Sequence, residues 1–186
     1  MKSNGPNRRG ALLETIVDHL IQQGLSNASL RPLAAAAGTN ARMLMYHFNS
    51  KEELLVEALE AARRRHLEAL KGWMESERGG GRDALARFWS WCSSRRNEPW
   101  VRLSLEIEVL AGQGRNELRP LAVRMNADWV DAIESRLAGG TTPPSRRRAV
   151  ATAAAGAFRG LLLDLSVTGE RTRVNAAAHE VATRLI

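Results

Sequence analysis

The chain of 186 residues has one cysteine, Cys92, so no disulfide can close within it, as suits a reducing compartment. It has four histidines, His19, His47, His66 and His179, and no two stand at metal-ligand spacing. It lacks a phosphate-cradling loop: Gly79-Gly80-Gly81 has neither the lysine nor the preceding strand of a P-loop. No carboxylate pair stands out for acid–base chemistry, and Cys92 has no base beside it in sequence. These absences predict a protein that is not an enzyme, with no catalytic residues, no metal and no cofactor. Long apolar runs are also missing. The most apolar stretch, Ala149 to Leu165, is interrupted by Arg159 and Asp164 and falls short of the ~20 residues of a span. Lys2, Arg8 and Arg9 are not followed by an apolar segment, so no secretory leader is expected. No stretch alternates convincingly as a strand does. The expected class is all-α, without a membrane segment, and the expected location is cytoplasmic.

What is present is positive charge, placed unevenly. The net charge is +7. Through residue 51 the chain holds Lys2, Arg8, Arg9, Arg31, Arg42 and Lys51 against only Glu14 and Asp18. A basic N-terminal segment suits a polyanion partner. The same segment carries a sharp pattern from Ser29 to Leu55. Ser29 is placed to cap a helix with Pro32 in its first turn, and Leu33, Ala36 and Ala37 read as that helix's inner face. Gly38 then supplies a left-handed corner, and Asn40 caps a second helix over Ala41 to His47. Ser50 and Glu53 have capping-box spacing at the start of a third. Two helices joined by a short glycine turn form a helix-turn-helix, whose second helix enters the DNA major groove.

The order Leu33-Ala34, Ala37-Gly38-Thr39-Asn40, Leu44 and Tyr46-His47-Phe48-Asn49-Ser50-Lys51-Glu52 resembles the DNA-binding domain of the TetR (tetracycline repressor) family. Arg42, Met45 and Asn40 depart from the residues usual at their positions. The resemblance implies an all-helical, dimeric regulator: a three-helix DNA-binding domain over 1–52, then a helical effector-binding and dimerisation domain over 53–186. Within the second helix, Leu44 and Phe48 are spaced to face the core. Ser29, Thr39, Asn40, Arg42, Met43, Tyr46, His47 and Lys51 form the candidate DNA-contacting set. Arg42 can read guanine bidentately, the residues around Asn40 can meet phosphate, and Tyr46, His47 and Lys51 are phosphate contacts by resemblance. A leading arm over 1–7, with Arg8 and Arg9, can add phosphate contacts.

Around this segment the periodicity predicts helices over 9–23, 50–78, 82–96, 98–111, 116–138, 145–168 and 172–185. In the first, Leu12, Leu13, Ile16, Val17, Leu20 and Ile21 form one stripe, Gly24 ends the helix, and His19 reads as solvated. The long helix over 50–78 carries a basic run, Arg63-Arg64-Arg65-His66, read as a solvated face, and is expected to be the only link between the two domains. Near the C-terminus Ala149, Val150, Ala153, Ala154, Ala157 and Gly160 make a surface of small side chains, and Val174, Ala178, Val181, Ala182 and Leu185 extend it. By resemblance the two last helices pair with their copies in a homodimer, setting two recognition helices about 34–36 Å apart on a pseudo-palindromic operator.

Tryptophan is the favoured aromatic, five of the nine. Trp73, Phe88, Trp89, Glu106, Leu110, Met125 and Trp129 are the candidate effector-binding residues, with Glu106 as a carboxylate that would favour a cationic or hydroxylated ligand. The function expected is an effector-responsive regulator, a repressor released from double-stranded DNA by an unidentified small molecule. The alternatives are a constitutive DNA-binding regulator and an all-α small-molecule-binding protein.

Overall fold

The computed structural model describes residues 5–26, 28–77 and 83–186. Among the described residues there are nine helices and no strand: α1 (Gly5–Gln23), α2 (Leu30–Ala36), α3 (Ala41–His47), α4 (Lys51–Ser76), α5 (Ala84–Cys92), α6 (Glu98–Gly112), α7 (Arg119–Leu137), α8 (Pro144–Thr168) and α9 (Arg171–Arg184). The chain divides into two compact units, residues 1–70 with 106–122 and residues 71–105 with 123–186. The sequence boundary at 52/53 instead falls in the first turn of α4. The chain passes between the units three times, within α4, α6 and α7, so the long helix is not the only link.

In the first unit the stripe of α1 is buried through Leu12, Leu13, Ile16, Val17 and Leu20. Gly24, at φ 73°, closes the helix with its N–H on the Leu20 carbonyl at 2.8 Å. His19 is half-buried rather than solvated. Ser29 heads α2, but its hydroxyl makes no cap bond. The third residue of that helix is Pro32, which removes one of the two N–H groups a capping hydroxyl ordinarily receives. The inner face of α2 is Leu33 and Ala34, while Ala36 faces solvent. Gly38, at φ 63°, makes the corner: Thr39 N–H donates to Ala34 and Gly38 N–H to Ala35, at 2.9 and 3.1 Å. This doubly bonded left-handed ending fixes the exit direction of the chain. Asn40 Oδ1 then accepts from Met43 N–H at 2.9 Å to open α3, whose Leu44 is buried together with Phe48 just beyond it.

The capping box at α4 is half formed. Ser50 Oγ accepts from Glu53 N–H at 3.0 Å. The Glu53 carboxylate does not reach back to Ser50 but accepts from the Asn49 side-chain amide at 3.0 and 2.9 Å. The helix end expected at Arg78 and the stop at Gly79–Gly81 lie outside the described residues. The basic run on α4 is not a plain solvated face. Arg65 pairs with Glu14 and Asp18 of α1, Arg63 is half-buried beside Glu60, and His66 is buried; Arg64 alone of the four faces solvent without a pairing of this kind among the described residues.

In the second unit α5 stops at Cys92, four residues before the expected end, and turns fill 93–97. Val150, Ala151, Ala154, Ala155, Phe158 and Leu162 of α8 and Val174, Ala178 and Ala182 of α9 are buried within the chain itself. Val150 and Ala154 therefore do not belong to an outer surface. The exposed small and apolar stripe of α8 runs instead through Ala149, Ala153, Gly156, Gly160, Leu163 and Val167, spaced by threes and fours. Gly169, at φ 70°, ends α8. With 25 residues and an 18-residue stretch of mean hydropathy 1.4, α8 is long and apolar enough to cross a bilayer, unlike the sequence reading of Ala149–Leu165. Alanine raises that hydropathy, and the inward side of the helix is a packed core face.

Burial holds the His66 imidazole neutral, with its pKa pushed down to about 3 from 6.5. The unfolded chain binds the proton first, so stability from this site is intact above pH 6.5 and falls as the pH drops toward 3. Relative to pH 8, about 2 kcal/mol is lost by pH 5. Urea unfolding across this range should show that loss in the native chain, and His66→Leu should remove this component of it.

Candidate nucleic-acid interface

The geometry that could meet DNA lies within the first unit. Packing Leu44 and Phe48 inward turns the opposite side of α3 to solvent. Arg42 and Asn40 are exposed, and Tyr46 is 79% exposed. Thr39, Met43 and His47 are half-buried at the edges of this face. Ser29 is exposed at the start of α2, and Lys51 is half-buried at the start of α4. The Tyr46 and His47 rings meet edge to face at 5.2 Å, and His47 Nε2 is buried with no hydrogen-bond partner among the described residues. His47 thus leans toward the structure more than Tyr46 does.

Arg9 belongs to a different part of the unit from the one its sequence suggested. Its Nε donates to the His47 carbonyl at 3.1 Å, at the end of α3. Its Nη1 and Nη2 donate to the two oxygens of Glu57 on α4, at 2.7 and 2.5 Å. The same guanidinium lies 4.5 Å from the centre of the Phe48 ring. The paired carboxylate raises the Arg9 pKa above its ordinary value. All three of its nitrogens already donate within the first unit. Arg8 beside it is exposed, and the side chains of 1–7, Lys2 included, lie outside the described residues.

Glu106 does a job in this unit that its sequence position did not show. It lies on α6, and its Oε2 accepts from Leu25 N–H at 2.7 Å while Oε1 accepts from Ser26 Oγ at 3.1 Å. A Cβ on Gly24 would stand 2.6 Å from Oε2, so the close approach needs glycine as well as the left-handed turn does. The carboxylate ties down the α1–α2 connection and, through it, the placement of α2. It borders a cleft of about 270 Å3 that Leu110, Lys51, Glu52, Arg115 and Glu117 also line.

The expected effector residues therefore separate. Glu106 and Leu110 belong to the first unit. Trp73, Phe88, Trp89, Met125 and Trp129 belong to the second. There Phe88 meets Trp129 edge to face at 5.5 Å, Trp73 stacks on Trp91 at 5.5 Å, and Trp89 lies 5.4 Å from Phe158. Phe88, Trp89, Met125 and Trp129 are buried; Trp73 and Trp91 are half-buried at the rim. The charged groups beside these rings are arginines, Arg136 over Trp73 and Arg159 over Trp129, each at 5.0 Å. Nothing in the spacing of the sequence singled out Arg9, Arg136 or Arg159, because their partners lie far along the chain.

A glycine-cornered helix pair, capped by Asn40 and presenting Arg42 and Tyr46 outward, defines a helix-turn-helix DNA-binding protein. Residues 12–58 match the family of bacterial regulatory proteins, tetR family. The fold matches a TetR-family transcriptional regulator from Cytophaga hutchinsonii over 100% of this chain and 96% of that one, with a TM-score of 0.82 and 15% identity. A transcriptional regulator from Rhodococcus sp. RHA1 matches over 95% of both chains, with a TM-score of 0.72 and 19% identity. The multidrug binding protein EbrR, solved with imidazole, is 28% identical over 97% of this chain and 90% of its own, with a TM-score of 0.64. No curated protein matches significantly. Residues 12–58 thus carry the sequence pattern of tetR-family regulatory proteins, and the whole chain has the fold of TetR-family regulators.

Glu106→Ala leaves the Leu25 amide without its acceptor and should cost roughly 1–3 kcal/mol in urea unfolding. Gly24→Ala should also destabilise, through its left-handed backbone and its approach to Glu106. The double variant should cost less than the sum of the two singles, because removing the carboxylate relieves the clash; strict additivity would show that the two sites do not interact.

Proposed function

We propose that the chain is a homodimeric repressor that binds a pseudo-palindromic operator and is released by a small effector. The observation that carries the reading is the outward face of α3, where Arg42 and Tyr46 stand free of the core beside Asn40 at the helix start. Arg42 has the reach for bidentate reading of guanine, and Ser29, Thr39, Met43, Tyr46, His47 and Lys51 surround it as backbone contacts. A regulator of chromosomal DNA works in the cytoplasm, which is the location this reading implies.

Support for a second copy comes from α8. Leu163 is 51% exposed and Val167 77% exposed, in line with Ala149, Ala153, Gly156 and Gly160. Small side chains let a second helix approach closely, and an isologous pair buries the same stripe on both copies. This contact also accounts for the apolar length of α8 without a bilayer. Support for an effector comes from the aromatic cluster of the second unit and from EbrR, whose structures hold imidazole and proflavin. An effector works here only if it binds the DNA-releasing state better than the DNA-bound one.

Operator fragments selected from random DNA, followed by anisotropy titration, test the DNA reading. Arg42→Ala should lower the preference for the selected site by roughly 1–3 kcal/mol at one base pair of each half-site, leaving non-specific binding in place. Unchanged preference would remove Arg42 from the reading set. Gly156→Glu should shift the chain to monomer in sedimentation and weaken operator binding, since each half-site alone is held more loosely. A variant that stays dimeric would move the interface off α8.

A further inference from the structure

We propose that the second unit carries a binding site for a planar aromatic carboxylate, held by the Nε–Nη2 edge of Arg136 beside the stacked pair Trp73 and Trp91. The reading deepens the effector proposal above, and rests on it for the ligand's regulatory role but not for its binding.

Arg136 sits in the last turn of α7. Its Nη1 donates to the Glu77 carbonyl at 3.0 Å. Its Nε and Nη2 are buried and have no hydrogen-bond partner among the described residues. These two nitrogens form one side of the guanidinium, with two parallel N–H groups whose spacing matches the two oxygens of a carboxylate. The occupied group is the other one. A buried donor pair left unmade is costly, and the surroundings deepen the cost. Burial and the nearby Arg87 cation both lower the Arg136 pKa, while Glu77 offsets them in part. Asp83 and Glu77 lie 3.8 and 3.9 Å from the Arg87 guanidinium. An incoming carboxylate would satisfy the open fork and screen the two like charges from one another.

The ring component of the ligand follows from the neighbours. The Arg136 guanidinium lies over the Trp73 ring, and Trp73 stacks on Trp91 with an angle of 29° between planes. Both indoles are half-buried, so part of each stays exposed beside the fork, whereas Phe88 and Trp129 are buried. A second guanidinium, Arg159, lies over Trp129 and adds to the positive charge of the cluster. The charge that sequence had assigned to the effector is thus reversed: the carboxylate expected in the cavity, Glu106, belongs to the other unit, and an arginine stands among the rings.

The probe is 2-naphthoate, followed by quenching of tryptophan fluorescence in the full chain, with 2-naphthamide as its uncharged counterpart. The acid should quench saturably and bind at least tenfold tighter than the amide. Arg136→Met should weaken the acid at least tenfold, leave the amide unchanged, and not lower the melting temperature of the free protein. No quenching by millimolar 2-naphthoate, equal binding of acid and amide, or unchanged acid affinity in Arg136→Met would overturn the site. If Arg136→Met does not fold, Arg136→Lys, which keeps the charge and loses the fork, takes its place with the same expected loss. Operator release is measured separately. Arg136-dependent binding without release would refute the effector role and leave the site standing, whereas equal release from the native chain and from Arg136→Met would place the anion elsewhere and refute the site.

Discussion

Arg9 binds three elements at once. Its two terminal nitrogens hold Glu57 on α4, its Nε holds the carbonyl that ends α3, and its face covers Phe48. A charge-assisted fork of this kind fixes direction as well as distance, because the guanidinium is planar and its donors are rigid. The helix that presents Arg42 and Tyr46 is only seven residues long and cannot hold its own orientation. Its start is set by the Gly38 corner and the Asn40 cap, and its end by Arg9 and the buried Phe48. The outward face of α3 is a consequence of those fixings.

Glu106 extends the same logic to the other end of the helix pair. In the α1–α2 connection a carboxylate from α6 accepts from both the Leu25 amide and the Ser26 hydroxyl. Gly24 makes this possible twice over, by its left-handed backbone and by having no Cβ in the carboxylate's way. A residue eighty positions away thereby becomes part of the helix-turn-helix unit.

The centre of the second unit is built from aromatic rings, with arginines against them. Rings in edge-to-face and stacked contact fill its centre, and two guanidinium groups lie on indole faces. Such a centre tolerates positive charge, since each ring face is electron-rich. The exposed stripe of α8 lies on the side of that helix away from Phe158 and Leu162, so one helix serves the chain's own core and still presents small side chains outward.

The sequence by itself determined the local features: the class of fold, eight helix positions to within a few residues, the Gly38 corner, the Asn40 cap, and the inward pair Leu44 and Phe48. These depend on spacing of three or four residues and on backbone conformations that one residue type favours, so a short window contains them. Its misreadings were local in origin too. Ser29 looked like a capping residue until Pro32 removed one of its donors, and Val150 and Ala154 looked like part of an outer face because a small side chain fits a core as well as an interface. Only tertiary structure decided what Arg9, Glu106 and Arg136 do. Their partners are 38 to 81 residues away, and a long charged side chain reaches a carbonyl, a carboxylate or a ring face with equal ease. Which one it meets depends on how the helices pack, and no short stretch of sequence encodes that.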